Sequence, residues 1–311
     1  MDLSIDSCPG LYCGRIWSNG SFGDCSACPR GYRSDSQHLC QLCENDLQLY
    51  DWIYLSFMVV IFVLIQLYFI DCSTRSTRIN LISLLLYVAI VFETVLAAIS
   101  SLIAFCRDWN FHLKTCGVKS FSDWYTLFYN PSLNRNFNCT HEAVYPLYSI
   151  VFLFYIISIG LVLSRHLYLR FLGYCLVLFS RSDAIKAFYS KNYLTKNIYF
   201  ALYSIPALLS IHATLAGVIY YIFPYLLIIG SVISIVIHLT YQIDQSCRYL
   251  FRSMLEFRNL CIVLFHWSLH IFGIVSLTEL KHYFDYCYFL LVPFPTFFYI
   301  LTSKFTDPSK L

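Results

Sequence analysis

The chain has 311 residues, of which 58% are hydrophobic and 13% are charged, and its formal net charge is +3. Soluble domains average about 45–50% apolar and about 25% charged residues. A soluble protein of this length is therefore excluded, because the apolar excess must face lipid. The positive charge is too small and too scattered to indicate a nucleic-acid partner.

The N-terminal segment, residues 1–51, is rich in cysteine and is called the head below. Six of the 14 cysteines lie within the first 43 residues, and they are Cys8, Cys13, Cys25, Cys28, Cys40 and Cys43. So short a segment cannot bury a core that offsets its chain entropy, so we expect disulfides formed in an oxidising compartment. Zinc coordination by the two Cys-x2-Cys pairs is the alternative. In either case we expect a folded cap or interaction surface.

Apolar runs long enough to cross a bilayer, about 17–25 residues, follow the head. They predict an all-α polytopic membrane domain over residues 52–302, with about seven transmembrane helices at Trp52–Ile70, Ile79–Phe105, Pro146–Leu163, Ile198–Tyr221, Pro224–Tyr241, Asn259–Thr278 and Tyr286–Thr302. The fourth and fifth are predicted as a helical hairpin, because proline favours the first turn of a helix. Segment 166–179 is short and carries Arg170, so we expect a helix in the membrane interface, with an eighth span as the alternative.

The polar segments between the spans predict the orientation. With the N-terminus outside, the inner segments 71–78, 164–197 and 242–258 and the short tail 303–311 hold 13 of the 21 lysines and arginines, as the positive-inside rule requires. The two N-x-S/T sequons, at Asn19 and Asn138, fall on the outer side. We therefore expect a lumenal N-terminus, a cytosolic C-terminus and glycosylation of both asparagines.

The long outer loop, residues 106–145, contains two further disulfide candidates, Cys116 and Cys139. A bridge between them would order the aromatic segment Ser122–Ser132. The aromatic side chains of that segment could then pack on the head, or they could belong to an interfacial aromatic belt.

Few ionisable residues fall inside the predicted spans. Glu93 is the clear carboxylate, and possible partners are His212, His238, His266 and His270. Because isolated charges are costly at that depth, we expect hydrogen bonds that hold the helices together. His266 and His270 also have the spacing of a metal-binding pair, so metal or proton chemistry is the alternative. We assign no metal site and no cofactor.

Catalytic signatures are missing from the sequence, which lacks Gly-x-Ser-x-Gly, a P-loop and a glycine-rich dinucleotide motif. We therefore expect a protein that is not an enzyme. A seven-helix ligand-sensing receptor is the alternative function. Against it, the third span ends without an acidic residue before Arg165, and the last span has no Asn-Pro.

Basic residues are concentrated in the inner segment 164–197. They are Arg165, Arg170, Arg181, Lys186, Lys191 and Lys196. We expect this segment to be the main platform for a cytosolic partner, and the alternative is contact with anionic lipid.

Several phrases of the sequence are long and distinctive: Cys8-Pro-Gly-Leu-Tyr-Cys-Gly-Arg15, Cys25-Ser-Ala-Cys-Pro-Arg-Gly-Tyr-Arg33, Ser122-Asp-Trp-Tyr-Thr126, Cys139-Thr-His-Glu-Ala-Val-Tyr-Pro-Leu-Tyr148 and Leu264-Phe-x-His-Trp-x-Leu-His270. In order and content the chain closely resembles the c-Jun-N-terminal-kinase-associated membrane protein family (JAMP). The resemblance implies a non-enzymatic protein of the endoplasmic reticulum membrane. It also implies an adaptor that brings proteasomes, ubiquitin ligases and other degradation machinery to misfolded proteins and prolongs stress-kinase signalling.

The kinase link can be examined in the sequence itself. Kinases of that group phosphorylate Ser-Pro or Thr-Pro, and neither dipeptide occurs in the chain. We therefore expect a stress-activated kinase to bind by docking. The stretch Arg165-His-Leu-Tyr-Leu169 is the nearest approach to a docking motif, and its alternative role is a snorkelling membrane edge.

Overall fold

The computed structural model describes residues 8–18, 20–74, 81–106, 112–129, 139–179, 193–241 and 246–306. It confirms a mostly helical polytopic membrane protein with a disulfide-rich N-terminal region. Within the described residues, six helical segments are long and apolar enough to cross a membrane: Leu49–Ile70, Leu86–Ile103, Leu147–Arg165, Ile198–Thr240, Phe257–Thr278 and Tyr283–Ser303. The described residues form two compact units, one built from residues up to Asp51 with Leu55–Val218, and one from Trp52–Tyr54 with Ile219–Leu311.

The first two membrane helices follow the apolar runs closely. Helix α1 is Leu49–Thr74 and helix α2 is Leu81–Ile103. Asp51 lies in the first turn of α1, and its carboxylate accepts a hydrogen bond from the Gln48 N–H at 3.3 Å. A carboxylate at this position favours helix initiation, because it faces the unpaired N–H groups and the positive end of the helix dipole.

Helix α3, Leu147–Phe179, is 33 residues long and continuous. The predicted span Pro146–Leu163 agrees with the apolar segment Leu147–Arg165, but residues 166–179 continue the same helix instead of forming a separate one. Arg165 is the last residue of that apolar segment and is fully buried in the protein. Because its charge is compensated inside the protein, the helix has no need to end where the basic residues begin.

Helix α4, Tyr193–Thr240, is 48 residues long and continues through Pro224. The predicted hairpin, Ile198–Tyr221 followed by Pro224–Tyr241, is therefore wrong. Phe223 occupies the position of the expected turn, but it is fully buried and its ring lies 5.7 Å from that of Tyr54. Burial of this large apolar ring favours continued helix over a solvated turn. Residues of α4 up to Val218 belong to the first unit, and those from Ile219 belong to the second.

The second unit continues with helices α5, Cys247–Met254, and α6, Phe257–Thr278. The predicted last span, Tyr286–Thr302, corresponds to the apolar segment Tyr283–Ser303, which is formed by a 3-10 helix, Tyr283–Leu291, and helix α7, Phe294–Thr306. Pro293 and Pro295 lie at the junction, and a proline lacks the N–H that an α-helix requires. The core of the unit joins four helices through Ile235, Leu239, Leu250, Met254, Val263 and Ile300.

The head consists of short antiparallel strand pairs instead of one sheet. The described part of the head has seven strands: β1 Cys13–Gly14, β2 Trp17–Ser18, β3 Ser21–Phe22, β4 Ser26–Ala27, β5 Tyr32–Ser34, β6 Cys40–Leu42 and β7 Asn45–Asp46. The pairs are β1–β4, β2–β3 and β5–β6, and β7 pairs with β8, Lys114–Thr115, from the outer loop. Thus the loop completes the strand pairing of the head.

Candidate functional site

Four disulfides join the head to itself and to the outer loop. Cys8–Cys25 and Cys28–Cys40 lie within the head, and Cys13–Cys139 and Cys43–Cys116 connect it to the loop. All eight candidate cysteines are therefore in bridges, but the proposed Cys116–Cys139 bridge is wrong. The pairing of β7 with β8 brings Cys116 beside Cys43 instead. Zinc binding by the paired cysteines is also wrong, because their thiolates are consumed in three separate bridges.

Asp123 is the polar centre of the junction between head and loop. Its carboxylate accepts hydrogen bonds from the Tyr12 hydroxyl at 3.0 Å and from the Arg33 guanidinium at 2.9 Å. The backbone N–H groups of Lys119 and Ser120 donate to its other oxygen at 2.8 and 2.9 Å. Burial alone would raise the pKa of Asp123, but these donors and the arginine charge outweigh it and hold the pKa below its usual value. The buried carboxylate is therefore ionised and satisfied.

The outer loop also docks on helix α4. A Cβ built on Gly217 would lie 2.7 Å from the Trp124 Cβ and 2.8 Å from the Tyr125 Cε2, so only glycine allows this approach. The Val218 N–H donates to the Tyr125 hydroxyl at 3.4 Å, and in helix α3 the Tyr148 hydroxyl donates to the Ala213 carbonyl at 3.2 Å. Trp124 and Tyr125 thus pack against α4 within the first unit, and the Tyr129 ring lies 6.2 Å from that of Tyr12 in the head. Phe121 and Phe128 are 48% and 79% exposed.

A buried ion pair connects helices α2 and α3. Arg165 donates from Nε and Nη2 to the two carboxylate oxygens of Glu93, at 2.8 and 2.5 Å, and the Tyr168 hydroxyl also donates to this carboxylate. The side chains of Arg165 and Glu93 are 0% and 2% exposed. Arg165 is therefore not a surface contact for a cytosolic partner or lipid, and Glu93 pairs with an arginine instead of the expected histidines.

Two histidines of the membrane helices, His212 and His266, contact a neighbouring helix. His212 Nε2 lies 3.2 Å from the Tyr148 carbonyl, and His266 Nε2 lies 2.8 Å from the Ser234 hydroxyl. His266 and His270 are not joined by a third ligand, since the described residues contain no cluster of three or more His, Cys, Asp or Glu that could hold a metal ion. His238 and His270 lie in the second unit, where His270 is buried.

Comparison with known proteins agrees with the resemblance read from the motifs. A sequence profile described as "JNK1/MAPK8-associated membrane protein" (JAMP) matches residues 8–308. The chain belongs to the JAMP family. Relatives with the same description include a mouse protein and a human protein, each 35% identical over 98% of this chain and 95% of the relative. A Caenorhabditis elegans homologue is 30% identical over 93% of this chain and 85% of the relative. No solved structure matches the chain.

For this JAMP-family chain, several predicted site residues lie outside the described residues. They are Asn19, Asn138, Arg181, Lys186 and Lys191. Arg170 and Lys196 fall within helices α3 and α4. The glycosylation sites and most of the basic platform therefore remain predictions.

The structural roles of five residues of this JAMP-family chain were not predicted from the sequence: Tyr12, Arg33, Asp123, Tyr168 and Gly217. Asp123 and Gly217 are far from their partners in sequence, so no local sequence pattern indicates these contacts. The contact of Tyr168 could have been predicted, because Tyr168 lies three residues after Arg165 and therefore shares its helix face.

Proposed function

We propose that this chain is an endoplasmic-reticulum membrane adaptor that binds a JNK-type stress kinase by docking and recruits proteasomes and ubiquitin ligases for the clearance of misfolded proteins. The observation that carries the proposal is the match to the JAMP family over residues 8–308. The mouse and human relatives are described as associated with JNK1/MAPK8. In this proposal the protein acts by binding and has no catalytic activity.

The disulfides support a lumenal position for the head. Disulfides persist in oxidising compartments such as the endoplasmic reticulum lumen and are rare in the cytosol. Cys13–Cys139 and Cys43–Cys116 also require the head and the outer loop to lie on the same side of the membrane. We place both in the lumen, which leaves the basic segment 164–197 for cytosolic partners.

The proposed kinase contact is docking on a basic cytosolic surface. Phosphorylation at Ser-Pro or Thr-Pro is excluded, because the chain contains neither dipeptide. The burial of Arg165 removes the docking motif considered at 165–169. The remaining basic side chains of 164–197 then form the proposed platform: Arg170, Arg181, Lys186, Lys191 and Lys196.

Co-purification tests this platform. A full-length variant with these five residues replaced by glutamine should insert normally and lose both JNK1 and proteasome subunits. The matched control replaces Arg248, Arg252 and Arg258 by glutamine, because they form an arginine cluster that lies outside the platform. Equal retention of kinase and proteasome in both variants would count against the platform.

Glycan analysis tests the compartment. Asn19→Gln and Asn138→Gln should each remove one glycan, and the wild-type glycans should be sensitive to endoglycosidase H, as expected before passage through the Golgi. Endoglycosidase-resistant glycans would show onward traffic and contradict residence in the endoplasmic reticulum.

A further inference from the structure

A cleft lies where the outer loop meets the membrane helices of the first unit. Its volume is about 540 Å³, and it is lined by the 3-10 helices of the loop, Phe121–Trp124 and Thr126–Tyr129, by segment 140–148 and by Ala213 and Thr214 of α4. Clefts that bind small molecules are usually roughly 300–1,000 Å³. The space is therefore sufficient for one small ligand.

The lining of the cleft is mostly apolar. Its apolar and aromatic members are Trp124, Tyr125, Leu127, Phe128, Val144, Tyr148 and Ala213. No lysine or arginine is among the described residues that line it. His141 contributes no positive charge to the cleft, because burial lowers its pKa. A phosphate or carboxylate ligand would therefore find no positive partner there.

Two carboxyl groups line the cleft, and neither favours an anion. Asp123 is held by Arg33 and the backbone donors described above. The Glu142 carboxylate accepts hydrogen bonds from the backbone N–H and the hydroxyl of Ser149. Burial raises the pKa of Glu142. A carboxylate oxygen can accept a second hydrogen bond, so a ligand group that donates one can bind to Glu142, whereas both oxygens of Asp123 already accept two or more.

The rim of the cleft is apolar on both sides. Ile211 and Leu215 of α4, which flank the lining residues Ala213 and Thr214, are each 46% exposed. On the loop side, Leu127 and Phe128 are 65% and 79% exposed. Tyr148 lies in the first turn of α3, so this rim is at the level where a membrane helix enters the bilayer. Apolar side chains that are exposed at this level face lipid, and the cleft opens between them.

We propose that this cleft binds an uncharged, hydroxyl-bearing membrane lipid of sterol size. The apolar body would lie against Trp124, Leu127 and Val144, and the hydroxyl would donate to an acceptor of the lining, of which the Glu142 carboxylate is the strongest. The ligand enters sideways from the leaflet without crossing water, because lipid-facing residues border the opening. This proposal does not depend on the adaptor function.

A photoactivatable, alkyne-tagged sterol tests the proposal on the full-length protein in membranes. Labelled residues should fall within 123–128, within 140–148 and in the stretch of α4 around Thr214. Thr214→Trp should fill the cleft and lower labelling roughly tenfold, which corresponds to about 1.4 kcal/mol of binding free energy. Thr214 is suited to this change, because it is exposed and its hydroxyl binds only its own helix, at the Ser210 and Ile211 carbonyls.

The matched control is Ile156→Trp, which adds the same ring to an exposed residue of α3 that belongs neither to the lining nor to the rim, and it should leave labelling unchanged. Peptide mapping that finds all four disulfides intact establishes that each variant is folded. If Thr214→Trp fails that criterion, Ala213→Phe is the blocking variant. The proposal would be overturned if the blocking and control variants were labelled equally. It would also be overturned if a fatty-acid or hydrophobic-peptide probe labelled the same peptides as strongly as the sterol.

Discussion

Arg165 and Glu93 form a two-point ion pair between helices α2 and α3, with distances of 2.8 and 2.5 Å and almost no exposure of either side chain. Tyr168 adds a third donor to the carboxylate. A buried pair of this kind adds little net stability relative to apolar side chains, but its two members depend strongly on each other. It therefore fixes how the two helices pack, because an alternative packing would leave a charge unpaired at a depth where this is costly.

Breaking the pair from one side should be far more costly than replacing both members. We expect Glu93→Leu or Arg165→Met alone to lower the free energy of unfolding by about 3–5 kcal/mol, because each leaves one buried charge without its partner. Glu93→Leu with Arg165→Met should lose much less. The measurement is denaturant unfolding of the purified protein in mixed micelles, analysed as a double-mutant cycle. Single variants as stable as the double variant would show that the pair does not couple the helices.

Gly217 should be intolerant of any side chain. The Cβ of Gly217→Ala would overlap Trp124 and Tyr125 at 2.7 and 2.8 Å, so we expect the outer loop to shift and the protein to lose about 1–3 kcal/mol. The thermal midpoint and the rate of proteolysis in the loop would report this. Gly160→Ala is the matched control, because Gly160 also lies in a membrane helix and a Cβ there meets no atom within 4 Å. Similar effects of the two substitutions would argue against close docking of the loop.

The two head-to-loop disulfides predict distinct free thiols after single substitutions. Cys13→Ser should release Cys139, and Cys43→Ser should release Cys116, because these are their partners. Each loss should cost about 2–5 kcal/mol, as is typical for native disulfides of small extracytoplasmic domains. Non-reducing peptide mapping with thiol alkylation identifies the released residue. Detection of a Cys116–Cys139 peptide in the wild-type protein would contradict the connectivity.

The sequence predicted those features that depend on composition along the chain. The ends of α1, α2 and α6 fall within about four residues of the predicted spans, because the thickness of the bilayer sets the length of the apolar run. Pairing between distant residues was not predictable. Arg165 lies just beyond the apolar run that ends at Leu163, and only the structure shows that a carboxylate 72 residues away compensates it.

The disulfide connectivity illustrates the same limit in the head. Six cysteines allow 15 pairings among themselves, and the two of the outer loop add more. The sequence indicated that the cysteines would be bridged, because the head is too short to fold without cross-links. Cys13 and Cys139, however, are separated by 126 residues. Their pairing depends on how the loop packs against the head, and local spacing carries no information about that.

Asp123 predicts an acid-sensitive junction between head and loop. Burial by itself raises the pKa of Asp123, but the Ser120 and Lys119 N–H groups and Arg33 lower it below its usual value in the folded protein. A carboxyl whose pKa is lower in the folded state adds stability above its unfolded pKa, about 3.9, and this stability is lost as the pH falls through the folded pKa. We therefore expect the junction to weaken only below about pH 4.

Asp123→Asn should remove this acid-dependent contribution and lower stability at neutral pH by about 1–3 kcal/mol, since the Arg33 charge loses its partner. Thermal midpoints of the protein in neutral-lipid nanodiscs between pH 7 and pH 3 would measure both effects. Asp46→Asn is the matched control, because Asp46 also pairs with a cation, Lys114, at 2.8 Å but is 70% exposed. Exposed pairs contribute little, so its curve should follow the wild type. An Asp123→Asn curve that also follows the wild type would show that this carboxylate does not hold the head to the loop.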